Sequence, residues 1–428
     1  MTGPRRSARS IRCWSGRAET VRPEPPRCLL VCHTFPPLIG GSAGVYAALA
    51  RHAGGAIAVL TSARDAATGR EWPGWRALDA AAPYPIRRLP LVRPPLAAAA
   101  PRNRLLRQVA WGAAALRLAL VVAREAQRHR ADAVCICDDE TVGWLVPFVR
   151  RVLRRRALIY CHGDDLVQAD AAARAKRRRW FDEADCIIAA GRFPAARLAG
   201  AYGVPPARIG VVPNGVDLDR FRPLPPDPAR RAALGLAERR VILAPSRLVP
   251  RKGVDRLIAA MPAIRAAHPE AILLVAGDGP QRAELEALAQ ACGGAESVRF
   301  AGAIPAEDMP ALYALADFVA LPNRAEPGES DGTPLVFLEA NACGRPVIGG
   351  RAGGTAEAVT DGRNGLLVDG EDSGAIAAAA LRLLDDPAFA ARLAAGGLEA
   401  ARAAGWAART AQFLALCRPG MAPQASLG

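Results

Sequence analysis

Two stretches of the chain place cations and carboxylates at spacings that could hold a phosphorylated, hydroxyl-rich molecule. In V-I-L-A-P-S-R-L-V-P-R-K-G an apolar run ends in a loop carrying Arg247 and Lys252, five residues apart. A planar guanidinium fork beside a compact ammonium suits a diphosphate. A helix opening near Gly253 would add unpaired N–H groups and the positive end of its dipole. Taken alone, the same loop also reads as a solvated basic turn. Lys252 is conspicuous because, of 56 Lys and Arg, only Lys176 and Lys252 are lysine.

The second stretch is E-S-D-G-T-P-L-V-F-L-E-A-N-A-C-G-R-P-V-I-G-G, with Asp331 and Glu339 eight residues apart. Carboxylates accept from neighbouring hydroxyls, which suits a sugar. A helix beginning at Pro334 as its first residue would expose amides at Gly332, Thr333 and Leu335, Pro334 having none. Without further context, Asp331 is equally a capping residue and Glu339 an ordinary helix face. In the first half, Gly40-Gly41-Ser42 lies between an apolar run and a helical segment, where glycine lets backbone approach phosphate closely. His162 follows another run in C-H-G-D-D, a position that capping or packing would also explain.

Those residues need elements to hold them. Apolar runs alternate with helical segments along the whole chain, six in each half: Cys28–Cys32, Ile57–Leu60, Ala133–Cys137, Leu158–Cys161, Cys186–Ala190 and Ile209–Val212, then Val241–Ala244, Ile272–Ala276, Val298–Ala301, Phe318–Leu321, Pro346–Ile348 and Leu366–Val368. Runs buried on both faces and separated by helices indicate parallel sheets of βαβ units. At 428 residues the chain is also too long for one ordinary core. The expectation is an α/β protein with two doubly wound, Rossmann-like domains facing a cleft. Its divisions are a disordered leader over 1–26, a first domain over 27–213, a Pro-rich linker over 214–226 and a second domain over 227–404. The segment 405–428 is expected to form a helix returning to the first domain, then a tail. No G-x-G-x-x-G fingerprint is present, which argues against a dinucleotide enzyme.

Taken in order, S-R-L-x-x-x-K-G, A-G-D-G-P, D-G-T-P-L-V-F-L-E-A-x-A-C-G-x-P-V-I and G-G-T-A-E resemble glycosyltransferase family 4, the retaining GT-B enzymes. The segments V-V-P-N-G-V-D and F-P-P-L-I-G-G fit as well, so the resemblance runs from about Cys28 to Leu416. It implies that Arg247 and Lys252 hold the donor diphosphate and that Glu339, the second acid of E-x7-E, bonds the donor ribose. Asp331 stands where the family has a Glu, one methylene shorter, contacting the donor sugar. His162 matches the histidine beside that sugar, and Gly40 and Gly41 match a donor-side loop. The implied reaction is front-face transfer with retention from a GDP- or UDP-sugar, with no cofactor and no metal. N-A-C-G-R-P-V-I-G-G-R-A-G-G looks most like mannosyltransferases of glycolipid and polysaccharide assembly, making mannose the first expectation and a lipid-linked or saccharide molecule the acceptor. The alternatives are a sugar-nucleotide epimerase and a non-catalytic sugar-nucleotide-binding scaffold.

Charge is unevenly spread. Through Gly215 there are 34 Arg or Lys against 16 Asp or Glu, and the remainder has 22 against 25, so the first half owns the net charge of +15. Pro101–Arg130 sets Arg among Leu, Trp and Val at helical spacing, as basic helices that lie on anionic lipid do. A solvated face over a stripe packed on the sheet is the plain alternative. No aromatic-interleaved basic surface suggests nucleic acid. The ten Cys lack a C-x-x-C pair and mostly sit in apolar runs, as buried free thiols do in a reducing compartment. With no apolar run of about 18 residues, the expected location is cytoplasmic, peripheral at the inner face of the plasma membrane.

Overall fold

Each apolar run must be covered on both faces, and helices between successive runs supply that cover. The structure, a computed structural model, describes residues 24–38, 41–66, 68–92, 104–163, 166, 171–326 and 332–421. Residues 1–23 of the expected leader and the tail from 422 lie outside them.

Seven strands form the first sheet: β1 (Cys28–Val31), β2 (Ile57–Ser62), β3 (Ile86–Leu89), β4 (Ala133–Ile136), β5 (Arg156–Cys161), β6 (Cys186–Ala189) and β7 (Ile209–Val211). Their order is β3-β2-β1-β4-β5-β6-β7, every pair parallel; Leu29 of β1 stands opposite Ala58 and Val134. The second sheet holds β8 (Arg240–Pro245), β9 (Ala271–Ala276), β10 (Val298–Gly302), β11 (Phe318–Leu321), β12 (Val347–Gly350) and β13 (Gly365–Val368), in the order β10-β9-β8-β11-β12-β13, also parallel. Both are doubly wound. Strand order reverses between β1 and β4 and again between β8 and β11, and the crevice beyond such a reversal is where open α/β sheets bind ligands.

The seventh strand of the first sheet was not among the six expected runs. β3 reads Ile-Arg-Arg-Leu and lies at the sheet edge, where alternation with charge replaces a continuous apolar run. Arg88 turns inward, its side chain 1% exposed. It meets both Asp79 oxygens at 2.9 Å and donates to the Ser62 carbonyl at 2.9 Å and the Pro36 carbonyl at 2.5 Å. The buried guanidinium thus ties the turn after β1 to the end of β2, with a partner for each of its three nitrogens.

Eight helices matter for the site. In the first domain they are α1 (Gly41–His52), α2 (Arg104–Arg128), α3 (Ala171–Glu183) and α4 (Arg192–Tyr202). In the second they are α5 (Val254–Ala267), α6 (Leu335–Ala342) and the single-turn α7 (Thr355–Ala358). The last, α8 (Trp406–Cys417), crosses back. Its Trp406, Phe413, Leu414 and Cys417 are buried in the first domain's core with Leu30, Tyr46 and Tyr160. The crossing starts where Val216 N–H donates to the Ala404 carbonyl at 2.9 Å, joining the linker to the turn before α8. Cys28, Cys32, Cys135, Cys161 and Cys186 are buried free thiols, and burial pushes the Cys186 thiol up to about 11.

Candidate active site

The β8/β11 crevice is built from two loops. After β8 the chain exposes Arg247, buries Leu248 and makes one 3-10 turn over Pro250–Lys252 before Gly253 leads into α5. The loop after β11 is clamped to it by Arg324. Its N–H donates to the Arg251 carbonyl at 3.0 Å, and its guanidinium meets both oxygens of Asp255 at 2.8 Å and Glu326 at 2.8 Å. Nη1 bridges the two Asp255 oxygens while Nε holds Glu326, and charge-assisted bonds of this kind are the strong ones, so the loop bearing Lys252 is held from across the crevice.

α6 forms the next wall. The helix begins at Leu335, one residue later than expected, because Pro334 keeps an extended ψ of 116° and acts as the cap. The free amides therefore start at Leu335. Thr333 is buried, and its Oγ1 has no hydrogen-bond partner among the described residues; the same is true of Ser246 Oγ after β8 and Thr355 Oγ1 at the start of α7. Buried hydroxyls left unmatched near one crevice are what a polar ligand would satisfy. One turn into α6, Glu339 accepts at 2.8 Å from the Tyr313 hydroxyl. Burial pushes its carboxyl above the ordinary range, opposed by that bond and by Arg220. The residue as a whole is only half-buried.

Across the cleft stands His162, just beyond β5. Its Nε2 is 2.8 Å from the Tyr46 hydroxyl of α1, which donates to the Cys137 carbonyl at 3.2 Å. The ring stacks on Tyr160 at 4.9 Å and 28°. Tyr46 and Tyr160 thereby set its orientation. Gly41 opens α1 with exposed backbone.

The two lips touch. A Cβ on Gly332 would lie 2.5 Å from the His162 carbonyl oxygen, so only glycine lets these backbones meet. Asn214 of the linker donates to the Thr333 carbonyl at 3.1 Å, and Leu335 packs against the first domain's core. The structure thus brings His162, Gly332, Thr333 and Leu335 together, with Arg247, Lys252 and Glu339 on the second domain's side. Gly40 and Asp331 lie outside the described residues. Sequence reasoning missed Tyr46, Tyr313 and Arg324. The chain has five Tyr, and three of them line this site, so their scarcity was the available signal.

Two doubly wound domains that close on each other at the ends of their strands form the architecture of GT-B glycosyltransferases. Comparison with known proteins agrees. Residues 227–399 match the family described as glycosyl transferases group 1, and residues 39–220 match glycosyltransferase family 4. The chain is 34% identical over 392 residues to the GDP-mannose-dependent alpha-(1-6)-phosphatidylinositol monomannoside mannosyltransferase of Mycobacterium tuberculosis, covering 87% of this chain and 93% of that protein. It is 33% identical over 385 residues to the GDP-mannose-dependent monoacylated alpha-(1-6)-phosphatidylinositol monomannoside mannosyltransferase of Corynebacterium glutamicum, covering 87% and 92%. The crystal structure of Anabaena HepE in complex with UDP and glucose superposes with a TM-score of 0.72 over 91% of this chain and 98% of that one, at 21% identity, which shows the shared fold. The chain belongs to glycosyltransferase family 4, and it is a hexosyltransferase.

Proposed function

We propose that this enzyme moves mannose from GDP-mannose, with retention, to a hydroxyl on a lipid-linked glycan head group. The carrying observation is the closed seam at Gly332, which sets the His162 side of the first domain against the donor loop of the second. The 34% identity to a GDP-mannose-dependent enzyme with a phosphatidylinositol monomannoside acceptor supports the donor and acceptor class.

In this reading Arg247 and Lys252 offset the charge that grows on the departing diphosphate. The amides of Gly332, Thr333 and Leu335 take sugar and phosphate oxygens, Glu339 takes the ribose, and Asp331 and Gly40 complete the donor side. His162 lies beside the transferred sugar. The leaving phosphate helps remove the acceptor proton on the same face, so the anomeric configuration is kept and neither metal nor cofactor enters. In this reading the acceptor head group enters a cavity of about 210 Å³ beyond β1 and β2, lined by His33, Thr34, Ser62, Arg64, Asp65 and Trp72. Its inner wall is fixed by His33 Nδ1, 2.8 Å from Asp138 beyond β4.

No described helix is long and apolar enough to cross a membrane. One face of α2 nevertheless suits a lipid surface. Val109, Leu116 and Leu120 are 63%, 63% and 62% exposed along one side, next to exposed Arg117, Arg124 and Arg128. Leu118, Val122 and Ala126 occupy the opposite, buried side. The stripe supports peripheral docking on anionic lipid at the cytoplasmic face, which would present the acceptor to the cleft.

The deciding experiment supplies GDP-mannose or UDP-glucose, with and without chelator, to the enzyme and vesicles containing a phosphatidylinositol mannoside. The expected result is chelator-insensitive transfer from GDP-mannose, with an α-linkage seen by NMR. A β-linked product would overturn retention, and transfer from UDP-glucose alone would overturn the donor. Epimerised or unreacted donor would return the epimerase or scaffold reading.

A further inference from the structure

The G-G-T-A-E segment supplies one side chain that neither the donor contacts nor the acceptor cavity uses. Glu357 of α7, in the second domain, reaches the start of α4 in the first. Its Oε2 accepts from the Arg192 N–H at 2.7 Å and its Oε1 from the Phe193 N–H at 2.7 Å. The first N–H groups of a helix have no partners within it and are ordinarily capped by a side chain just upstream. Here the upstream residue is Gly191, which has no side chain to offer, and the first turn of α4 contains no acid. A Cβ at Gly191 would collide with the Glu357 carboxylate. The cap of α4 therefore comes from the other domain.

That contact is continuous with the seam at the donor loop. Gly354, three residues before Glu357, approaches Thr333 so closely that a Cβ would lie 2.9 Å from its amide nitrogen. Thr333 follows Gly332, which meets the His162 carbonyl. α7, the donor loop and the strand end bearing His162 thus form one run of contacts.

We propose that Glu357 is a positioning residue whose carboxylate, by capping α4 across the cleft, holds the domains closed with His162 against the donor loop. Opening the cleft strips two helix-end amides of their partner in one domain and a carboxylate of two charge-assisted bonds in the other. The bidentate geometry makes the clasp directional as well as adhesive. Its role in turnover rests on the reading that transfer occurs in this cleft, whereas the clasp itself stands on the two bonds.

The test uses the full chain with GDP bound. Amide hydrogen exchange at Arg192 and Phe193 is compared with transfer kinetics in wild type, Glu357→Ala, Glu357→Gln and Gly191→Ala. Glu357→Ala should speed exchange of the two amides at least tenfold and lower kcat at least tenfold, with Glu357→Gln intermediate because one acceptor oxygen remains. Gly191→Ala, placed in the opposite domain, should reproduce both effects even if Glu357→Ala folds poorly. Combining the two should be no worse than either alone, since both remove the same contact. Unchanged protection in Glu357→Ala overturns the clasp; lost protection with an unchanged kcat overturns its positioning role; additive losses overturn the pairing of Gly191 with Glu357. If wild type transfers no sugar, the transfer reading fails while the exchange measurement still decides the clasp.

Discussion

Lys252 and Arg247 share a loop, but the fold holds them differently. Arg247 is exposed, whereas Lys252 is half-buried at the end of a 3-10 turn that Arg324 secures through the neighbouring Arg251 carbonyl. A donor that stabilises developing charge in a closed site is worth roughly 10²–10³ in rate. Lys252→Ala should cost about that in kcat, and Lys252→Arg should keep the charge yet lose activity because a branched fork does not fit where a compact ammonium stands. A full rate in the Ala variant, measured with saturating donor, would remove Lys252 from the machinery. Glu339 makes a pH-dependent prediction. Burial raises its carboxyl above the ordinary value, so between that value and its raised one the native state binds more protons than the unfolded state. Stability should therefore be greatest below this window and fall as pH rises through it. Glu339→Gln should flatten that fall in urea titrations while weakening GDP binding about tenfold, as loss of a charged acceptor for a ribose hydroxyl would. A mutant with unchanged GDP affinity would show that the carboxylate serves packing alone.

At the scale of elements, α2 carries two apolar faces, and only one is used by the core. Leu118, Val122 and Ala126 bury against the first sheet, which accounts for the plain alternative of a stripe packed on that sheet. The second face, Val109, Leu116 and Leu120, has no packing to account for it, and four of the seven exposed large hydrophobics among the described residues lie on this helix. Replacing both Leu116 and Leu120 by Glu should leave the fold intact, since neither touches the core, and reduce co-sedimentation with anionic vesicles at least fivefold at low salt. Equal binding by the variant would leave α2 without a membrane role. β3 shows a different lesson. Its inward Arg88 is satisfied by Asp79, Ser62 and Pro36, partners from three other segments, so a sequence that looks wrong for a strand is stable once those segments are in place.

The whole molecule depends on a chain that crosses twice between its halves. The linker leaves the first domain after β7, and α8 brings the chain back to pack beside α1. Phe413 is fully buried there, beside Tyr160 and other first-domain residues more than two hundred positions earlier. Phe413→Ala should cost about 3–5 kcal/mol, the usual loss for emptying a buried aromatic site. The loss should appear as unfolding of the first domain, measurable by urea denaturation monitored with hydrogen exchange. Exchange that rose only in the second domain would mean that α8 stabilises a different unit. Because linker and α8 both join the domains near Val216 and Gly405, this junction is where a hinge would sit.

The sequence by itself determined the doubly wound class, twelve of the thirteen strands and the family, and it singled out Arg247, Lys252, Glu339 and His162, which the fold sets around one cleft. Apolar runs that must be covered on both faces, and short motifs whose chemistry is local, are written along the chain. β3 escaped because an edge strand with an inward arginine has no apolar run to mark it. The two tyrosine partners escaped because each pairs with a residue far away in sequence: Tyr46 with His162, Tyr313 with Glu339. Glu357 stood in a quoted motif, but nothing near it in sequence indicates that its partners are the amides of Arg192 and Phe193, 165 and 164 residues earlier. Which helix end lacks a cap, and which carboxylate arrives to fill it, is decided only when the two domains meet.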